Sequence, residues 1–358
     1  MKVCILGTNL TSLTLAKALV NKKINVHLIY SKKPLRYHNS RTLGISKSNI
    51  EFFNKNIINI EKNIWKLNRI EIFSDNFKKE KLLKFEKKNE QMFSIIKNFE
   101  LFDILAKSLS KNKYFKKIYT NMKQEDFESY DIVINSDYAN PLTKKFFYRK
   151  IIKNYKSLAF VTTMKHANIE NDTATQIFTK RGPLAFLPIS KNETSIVYSL
   201  HNSKDKKKEN IIDLIHHYNH KYKIKKIGDI KSFELKSLNL RSYHHKNILA
   251  FGDIIHKIHP LAGQGFNMTI RDIKVLLGLI NDKIVLGLPL DYSINIEFEK
   301  ILRHKNFIFS NGIDLIHEFF NLERKFKSNI LSKSVHFMGK NSSINNFFTR
   351  IADNGGFF

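Results

Sequence analysis

Phe251-Gly252-Asp253-Ile254-Ile255-His256-Lys257-Ile258-His259-Pro260-Leu261-Ala262-Gly263-Gln264-Gly265-Phe266-Asn267 follows the apolar run Asn247 to Gly252 and leads into a long helical pattern from Asn267 to Ile280. A buried strand, a loop and a helix are expected in that order. Asp253 at the strand end offers a carboxylate to hydroxyl groups. Pro260, Gly263 and Gly265 open a helix whose first N–H groups have no partner in the chain, which suits an anion or an electron-rich ring.

Outward from this stretch, the first thirty residues carry a second, weaker signal. Lys2 to Leu6 is apolar, Gly7 breaks it, Leu10 to Val20 has apolar residues at helical spacing, and Ile24 to Tyr30 is extended. This is a βαβ unit. Its turn, Gly7-Thr8-Asn9-Leu10-Thr11-Ser12, stands where a dinucleotide-binding fold has three glycines, and only the first is present. Asn9 tolerates positive φ better than most residues, and Ser12 is small. Tyr30 occupies the strand end where an acid usually holds the ribose.

Between these ends the texture changes. Ser48 to Phe53 and Glu100 to Leu109 read as helices, Arg69 to Phe73 and Asp131 to Asn135 as strands. From Leu158 to Leu200 four extended segments, LAFVTTM, TATQIFT, LAFLPI and TSIVYSL, suggest an antiparallel sheet. A helix is expected over Asn210 to Tyr222 and a strand over Ile230 to Leu240. The last 70 residues are helical in pattern.

The chain has 358 residues, 42% of them hydrophobic, and a net charge of +29. Two interleaved domains and a large core are expected. Such a charge raises nucleic acid or an anionic surface as partners. Only ten of the 61 basic residues are arginine, and the lysines are scattered, so no nucleic-acid partner is expected. Cys4 is the single cysteine, which fits a reducing compartment. No apolar run is long enough to span a bilayer. His216 and His220 have zinc-binding spacing but no third ligand, and no metal is expected. No Ser-His-Asp set or carboxylate pair names a catalytic residue.

The Phe251 to Asn267 stretch, continued by Thr269-Ile270-Arg271-Asp272, resembles the FAD-dependent aromatic monooxygenases of the p-hydroxybenzoate hydroxylase fold. It is most similar to the ubiquinone-biosynthesis hydroxylases of the 2-polyprenyl-6-methoxyphenol hydroxylase type. Ser40-Arg41-Thr42-Leu43-Gly44-Ile45-Ser46 resembles that family's arginine segment near the flavin, and Phe178 to Pro188 its substrate-domain segment. Ser136-Asp137-Tyr138 stands for its Ala-Asp-Gly, keeping the acid and losing the glycine.

The resemblance implies an α/β fold: a Rossmann-like FAD-binding domain (1–67, 98–157 and 246–358, with the C-terminal helices) interleaved with a mixed or antiparallel β-sheet substrate domain (68–97 and 158–245). It implies FAD, with NAD(P)H as electron donor, held by Gly7, Asn9, Ser12, Arg41, Asp137, Asp253, Pro260, Gly263, Gly265 and Asn267. Asp253 would serve the ribityl or pyrophosphate region, Pro260 the reactive edge of the ring, and Gly263, Gly265 and Asn267 its pyrimidine side. The implied activity is hydroxylation of the aromatic ring of a polyprenylated phenol by O2, in an apolar pocket between Leu184 to Pro188 and the flavin loop. A ubiquinone-biosynthesis complex and a peripheral contact with an anionic membrane are the implied partners, with a cytoplasmic location on the membrane's inner face. The four departures, Asn9, Ser12, Tyr30 and Tyr138, all fall at the adenosine end. They motivate an alternative, a catalytically silent accessory or scaffold subunit that keeps the fold.

Overall fold

The structure is a computed structural model, described here for residues 1–30, 40–75, 81–86, 91–119, 127–201, 210–259 and 264–326. Pro260 and Gly263 lie outside the described residues. Strand β1 (Lys2–Leu6) is the centre of a six-stranded sheet because its residues Val3 to Leu6 are all buried and apolar, as a strand covered on both faces must be. It pairs in parallel with β2 (Asn25–Tyr30) and β9 (Ile132–Asn135). The sheet extends through β8 (Phe115–Tyr119) on one side, and through β17 (Ile248–Ala250) and β16 (His244–His245) on the other. Helix α1 (Leu10–Asn21) crosses from β1 to β2 and packs on α3 (Asn98–Ser110).

A three-stranded sheet stands beside it, with β3 (Thr42–Ser46) and β4 (Trp65–Leu67) flanking β7 (Phe93–Lys97); α2 (Lys47–Asn56) follows β3. The third sheet has nine strands. Its order is β18 (His256–Lys257), β15 (Lys231–Leu240), β10 (Lys150–His166), β13 (Glu193–His201), β12 (Gly182–Pro188), β11 (Thr173–Thr179), β5 (Arg69–Ser74) and β6 (Lys81–Glu86), with β14 (Ile224–Ile227) added to β10. The segments from β10 to β13 pair antiparallel, whereas β11 and β5 run parallel. The expected domain boundary at 157/158 falls inside β10, a single 17-residue strand.

The faces of this sheet follow strand alternation. Leu184, Phe186, Ile196, Tyr198 and Leu200 form one buried cluster with Ile211 and Ile215 of α5 (Ile211–Tyr218). The residues between them, Pro183, Ala185, Leu187, Ser195, Val197 and Ser199, face the other way and line a cavity. Helix α5 is shorter than its expected span to Tyr222. Asn210 caps its start by accepting from Ile212 N–H, and beyond its end Asn219 Oδ1 accepts from Tyr222 N–H, fixing a turn there.

Helix α4 (Pro141–Phe146) follows β9 and starts with Asn140 as cap and proline in its first turn, both standard helix openers. Helix α6 (Gln264–Val285) packs on β3, α1 and α2, and α7 (Ser293–Phe326) packs on α6 and β15. Asp314 of α7 accepts from Tyr155 of β10 and from Ser237 of β15, tying helix to sheet. Among the described residues no helix is long and apolar enough to cross a membrane.

Candidate functional site

A cavity of about 350 Å³ opens between the nine-stranded sheet and the C-terminal ends of the parallel strands. In doubly wound folds that is where ligands bind. Of the eight described residues among the ten named from sequence, four reach it: Asn9, Arg41, Asp253 and Gly265.

Gly265 is in the first turn of α6. A Cβ built on it would meet no atom of the described residues within 4 Å, and the residue lines the cavity. The first four N–H groups of any helix have no acceptor within the helix itself. Asp253 follows β17 on a short 3-10 turn, exposed at the cavity edge. Its neighbour Gly252 is required by the fold: φ is +63°, and a Cβ there would stand 2.8 Å from the Thr11 methyl.

The opposite wall is β3 with Phe93 of β7. Gly44 makes room for that ring, since a Cβ on it would lie 2.1 Å from Phe93 Cε1. Arg41 is exposed at the rim, 6.0 Å from the Phe233 ring of β15. Thr42 Oγ1 donates to Ser195 Oγ at 2.9 Å and so joins the arginine segment to the sheet.

Asn98 was not singled out by sequence. It begins α3 and lines the cavity; it is 4% exposed, and its Oδ1 has no hydrogen-bond partner. Its N–H donates to Arg41 O at 2.9 Å, which fixes the residue beside the arginine segment. A buried amide oxygen without a donor costs about 1–3 kcal/mol, so the position calls for a hydroxyl or N–H from a ligand. The only sequence signal is a polar residue at the switch from the strand Phe-Ser-Ile-Ile-Lys to a helix.

His256 also enters the cavity wall. Its Nε2 lies 2.5 Å from Asp272 Oδ2, and Asp272 Oδ1 accepts from Asn306 Nδ2 at 3.2 Å. Both members are buried. This pair fixes the ring of His256 between β18, α6 and α7.

Gly7, Ser12 and Asp137 gather behind the cavity. Gly7 has φ +112°, and a Cβ on it would come within 3.1 Å of Asp137 Cβ and 3.3 Å of Ser12 Oγ. Asn9 does not use positive φ; it sits at φ −77° in extended backbone and caps α1. Its Oδ1 accepts from Ser12 N–H at 2.9 Å and from Ser12 Oγ at 3.0 Å, and its Nδ2 donates to Ser136 O at 2.7 Å. Ser12 Oγ in turn meets Ser136 Oγ at 2.6 Å. A polar lock therefore fills the place of the second and third glycines. The Asp137 carboxylate accepts from Ala139 N–H at 2.9 Å and closes the turn into α4. Tyr30 pairs edge-on with Tyr119 at 5.3 Å, with Lys117 above its ring.

Asn267 turns away from the cavity. Its Oδ1 accepts from Ser46 N–H and Asn49 Nδ2, and its Nδ2 donates to Gly44 O. Among the described residues no group of three or more His, Cys, Asp or Glu side chains could hold a metal ion.

The residues present fit a flavin at its ring and ribityl end. Gly265 and the α6 N-terminus leave room and donors for the ring, and Asp253 with Asn98 offers acceptors for a polyhydroxylated chain. At the pyrophosphate end the first-turn donor Ser12 N–H is already taken by Asn9. Asn9→Gly is expected to free it and tighten FAD about tenfold, for a loss of about 1 kcal/mol that comes mainly from the Ser136 bond. Fluorescence titration with FAD and a urea melt measure the two effects.

Comparison with known proteins bears on the same elements. Residues 116–281, from β8 to α6, match the family model of an FAD binding domain. The chain is 26% identical over 174 residues to 3-demethoxyubiquinol 3-hydroxylase of Escherichia coli K12, covering 47% of this chain and 44% of that protein. It is 23% identical over 243 residues to the mitochondrial ubiquinone biosynthesis monooxygenase COQ6 of Drosophila melanogaster, covering 56% and 51%. The chain thus spans about half the length of these curated relatives. A solved structure of Klebsiella pneumoniae HpxO complexed with FAD has a similar fold, with TM-score 0.78 and 11% identity over 99% of each chain. The chain is therefore an FAD-binding flavoprotein with the fold of the FAD-dependent aromatic monooxygenases.

Proposed function

We propose that the protein is a flavin-dependent monooxygenase that hydroxylates the aromatic ring of a polyprenylated phenol in ubiquinone biosynthesis. The observation that carries this reading is the continuity of the cavity, which joins Gly265, Asp253 and Asn98 to the apolar face of the sheet at Ala185, Leu187 and Val197. Ring and cofactor would share one enclosure. The relatives' names supply the pathway, and the apolar lining suits a hydrophobic phenol.

Reduced FAD would supply the activation of O2, with NAD(P)H as donor. The chain's own residues would hold and orient the two partners. Asp253 and Asn98 would bind the ribityl hydroxyls, the α6 N-terminus would favour negative charge on the ring, and Phe93, Ile95 and Leu187, which line the cavity, would keep water from the substrate. The purified protein is expected to be yellow, with flavin absorbance near one equivalent per chain, and a colourless protein that takes up no FAD would sink this reading.

A scaffold role is the second reading, favoured by the Asn9–Ser12–Ser136 lock where phosphate donors are expected. Under it, an Asp253→Ala, Gly265→Trp chain would still rescue a strain lacking the protein. Under the enzymatic reading it would not. Membership of a ubiquinone-biosynthesis complex, a cytoplasmic site and lysine-driven contact with an anionic inner membrane face complete the proposal. Sedimentation with anionic vesicles should weaken as salt rises.

A further inference from the structure

The face of the sheet that roofs the cavity is built from rows of directly paired residues. In one row Ile72 of β5 pairs with Gln176 of β11, Gln176 with Ala185 of β12, Ala185 with Val197 of β13, and Val197 with Val161 of β10. Directly paired residues point to the same face. Gln176, Ala185, Val197 and Val161 all line the cavity, so this row crosses the roof from side to side.

Among the residues of this row that line the cavity, Gln176 is the polar one. Its neighbours on the same face, Ala185 beside it and Ala174 two residues back, are small and also line the cavity. It is half-buried, and its side chain makes no hydrogen bond with any described residue. Ser195, in the neighbouring row, already accepts from Thr42. An amide has two N–H donors and a carbonyl acceptor, and Gln176 is one of the residues that line the cavity.

Charge points the same way. None of the cavity residues on β11, β12 or β13 is charged. The cations of the site, Arg41, Lys236 and Lys257, come from other elements, and Lys236 is paired with Glu234 at 2.8 Å. A carboxylate set against the roof would lose water without gaining a cation. A hydroxyl, methoxy or carbonyl oxygen would find a matching partner.

We infer that Gln176 is a specificity-determining residue that hydrogen-bonds a neutral oxygen substituent on the substrate ring, and that the ring presents no carboxylate to the roof. The inference rests on the aromatic-substrate reading above and deepens it by naming the residue that reads the oxygen substituent of the ring.

The test uses the full chain loaded with FAD, and follows the perturbation of flavin absorbance as an arene is added. The probes are 2-methoxyphenol, its oxygen-free isostere 2-ethyltoluene, and 4-hydroxybenzoate. Gln176→Leu is expected to weaken 2-methoxyphenol about tenfold and leave 2-ethyltoluene within about twofold, because the loss is one hydrogen bond. Gln176→Arg places a cation in the roof and should strengthen 4-hydroxybenzoate about tenfold or more. Equal weakening of both neutral probes by Gln176→Leu, or no weakening of either, would overturn the assignment. A wild-type protein that holds flavin and binds neither neutral probe would bring down the aromatic-substrate reading, and the assignment with it.

Discussion

Gly265→Trp is expected to leave the protein folded and strip it of flavin, lowering FAD affinity by at least about 100-fold. The two glycines of one motif, Gly252 and Gly265, differ in what a side chain would meet. At Gly252 the backbone is left-handed and Thr11 closes on the missing side chain, so substitution there strains the fold itself. At Gly265 φ is not in the left-handed range and a Cβ meets open space. A helical glycine replaced by another residue gains backbone order, so urea stability should hold or rise by a few tenths of a kcal/mol. What the variant loses is the enclosure. An indole buries roughly 150–250 Å² of surface, comparable with the ring system it would displace, and it would lie at the α6 N-terminus where the flavin's pyrimidine side is expected. Flavin absorbance after gel filtration, read beside the urea midpoint, separates the two effects. Retained flavin at full stoichiometry would mean that the cavity is not where the ring binds.

Much of this site was legible because its determinants are local. Gly265 and Asp253 announce themselves by residue type and spacing, and the face of β12 follows from strict alternation over Gly182–Pro188. The remainder depends on contacts between distant segments. Asn98 has nothing unusual about it in sequence; it becomes a candidate only because α3 starts beside Arg41 and leaves Oδ1 without a donor. Asn9 was read for its tolerance of positive φ, whereas Ser12 and Ser136 hold it in extended backbone as a cap. The first part of β10, Lys150 to Lys156, is exposed along most of its length and lacks a hydrophobic period, so the pattern alone places the start of the strand at Leu158. Pairing with β15 at five positions from Lys150 to Asn154 makes it a strand all the same. Gln176 belongs to this class too, since its row exists only across five strands.

Asn267→Ala is expected to destabilise the fold by about 4 kcal/mol while altering intrinsic FAD affinity little. The resemblance assigns Asn267 to the pyrimidine side of the flavin, through its backbone, and a helical backbone survives truncation to alanine. The side chain has another task. It joins α6 to the β3–α2 connection through bonds of 2.9–3.0 Å to Ser46 N–H, Asn49 Nδ2 and Gly44 O, all buried. Alanine leaves two donors and one acceptor without that partner, at about 1–3 kcal/mol each, and the sum falls short of three full penalties because the Asn49 amide can turn. Urea melts of the FAD-free protein should show the lower midpoint with an unchanged slope. FAD at about 100 times its dissociation constant should then restore about 2.7 kcal/mol in both proteins alike. If instead the FAD-free variant melts like wild type and FAD affinity collapses, the carboxamide acts on the cofactor directly, and the stitching of α6 to β3 is not its main task.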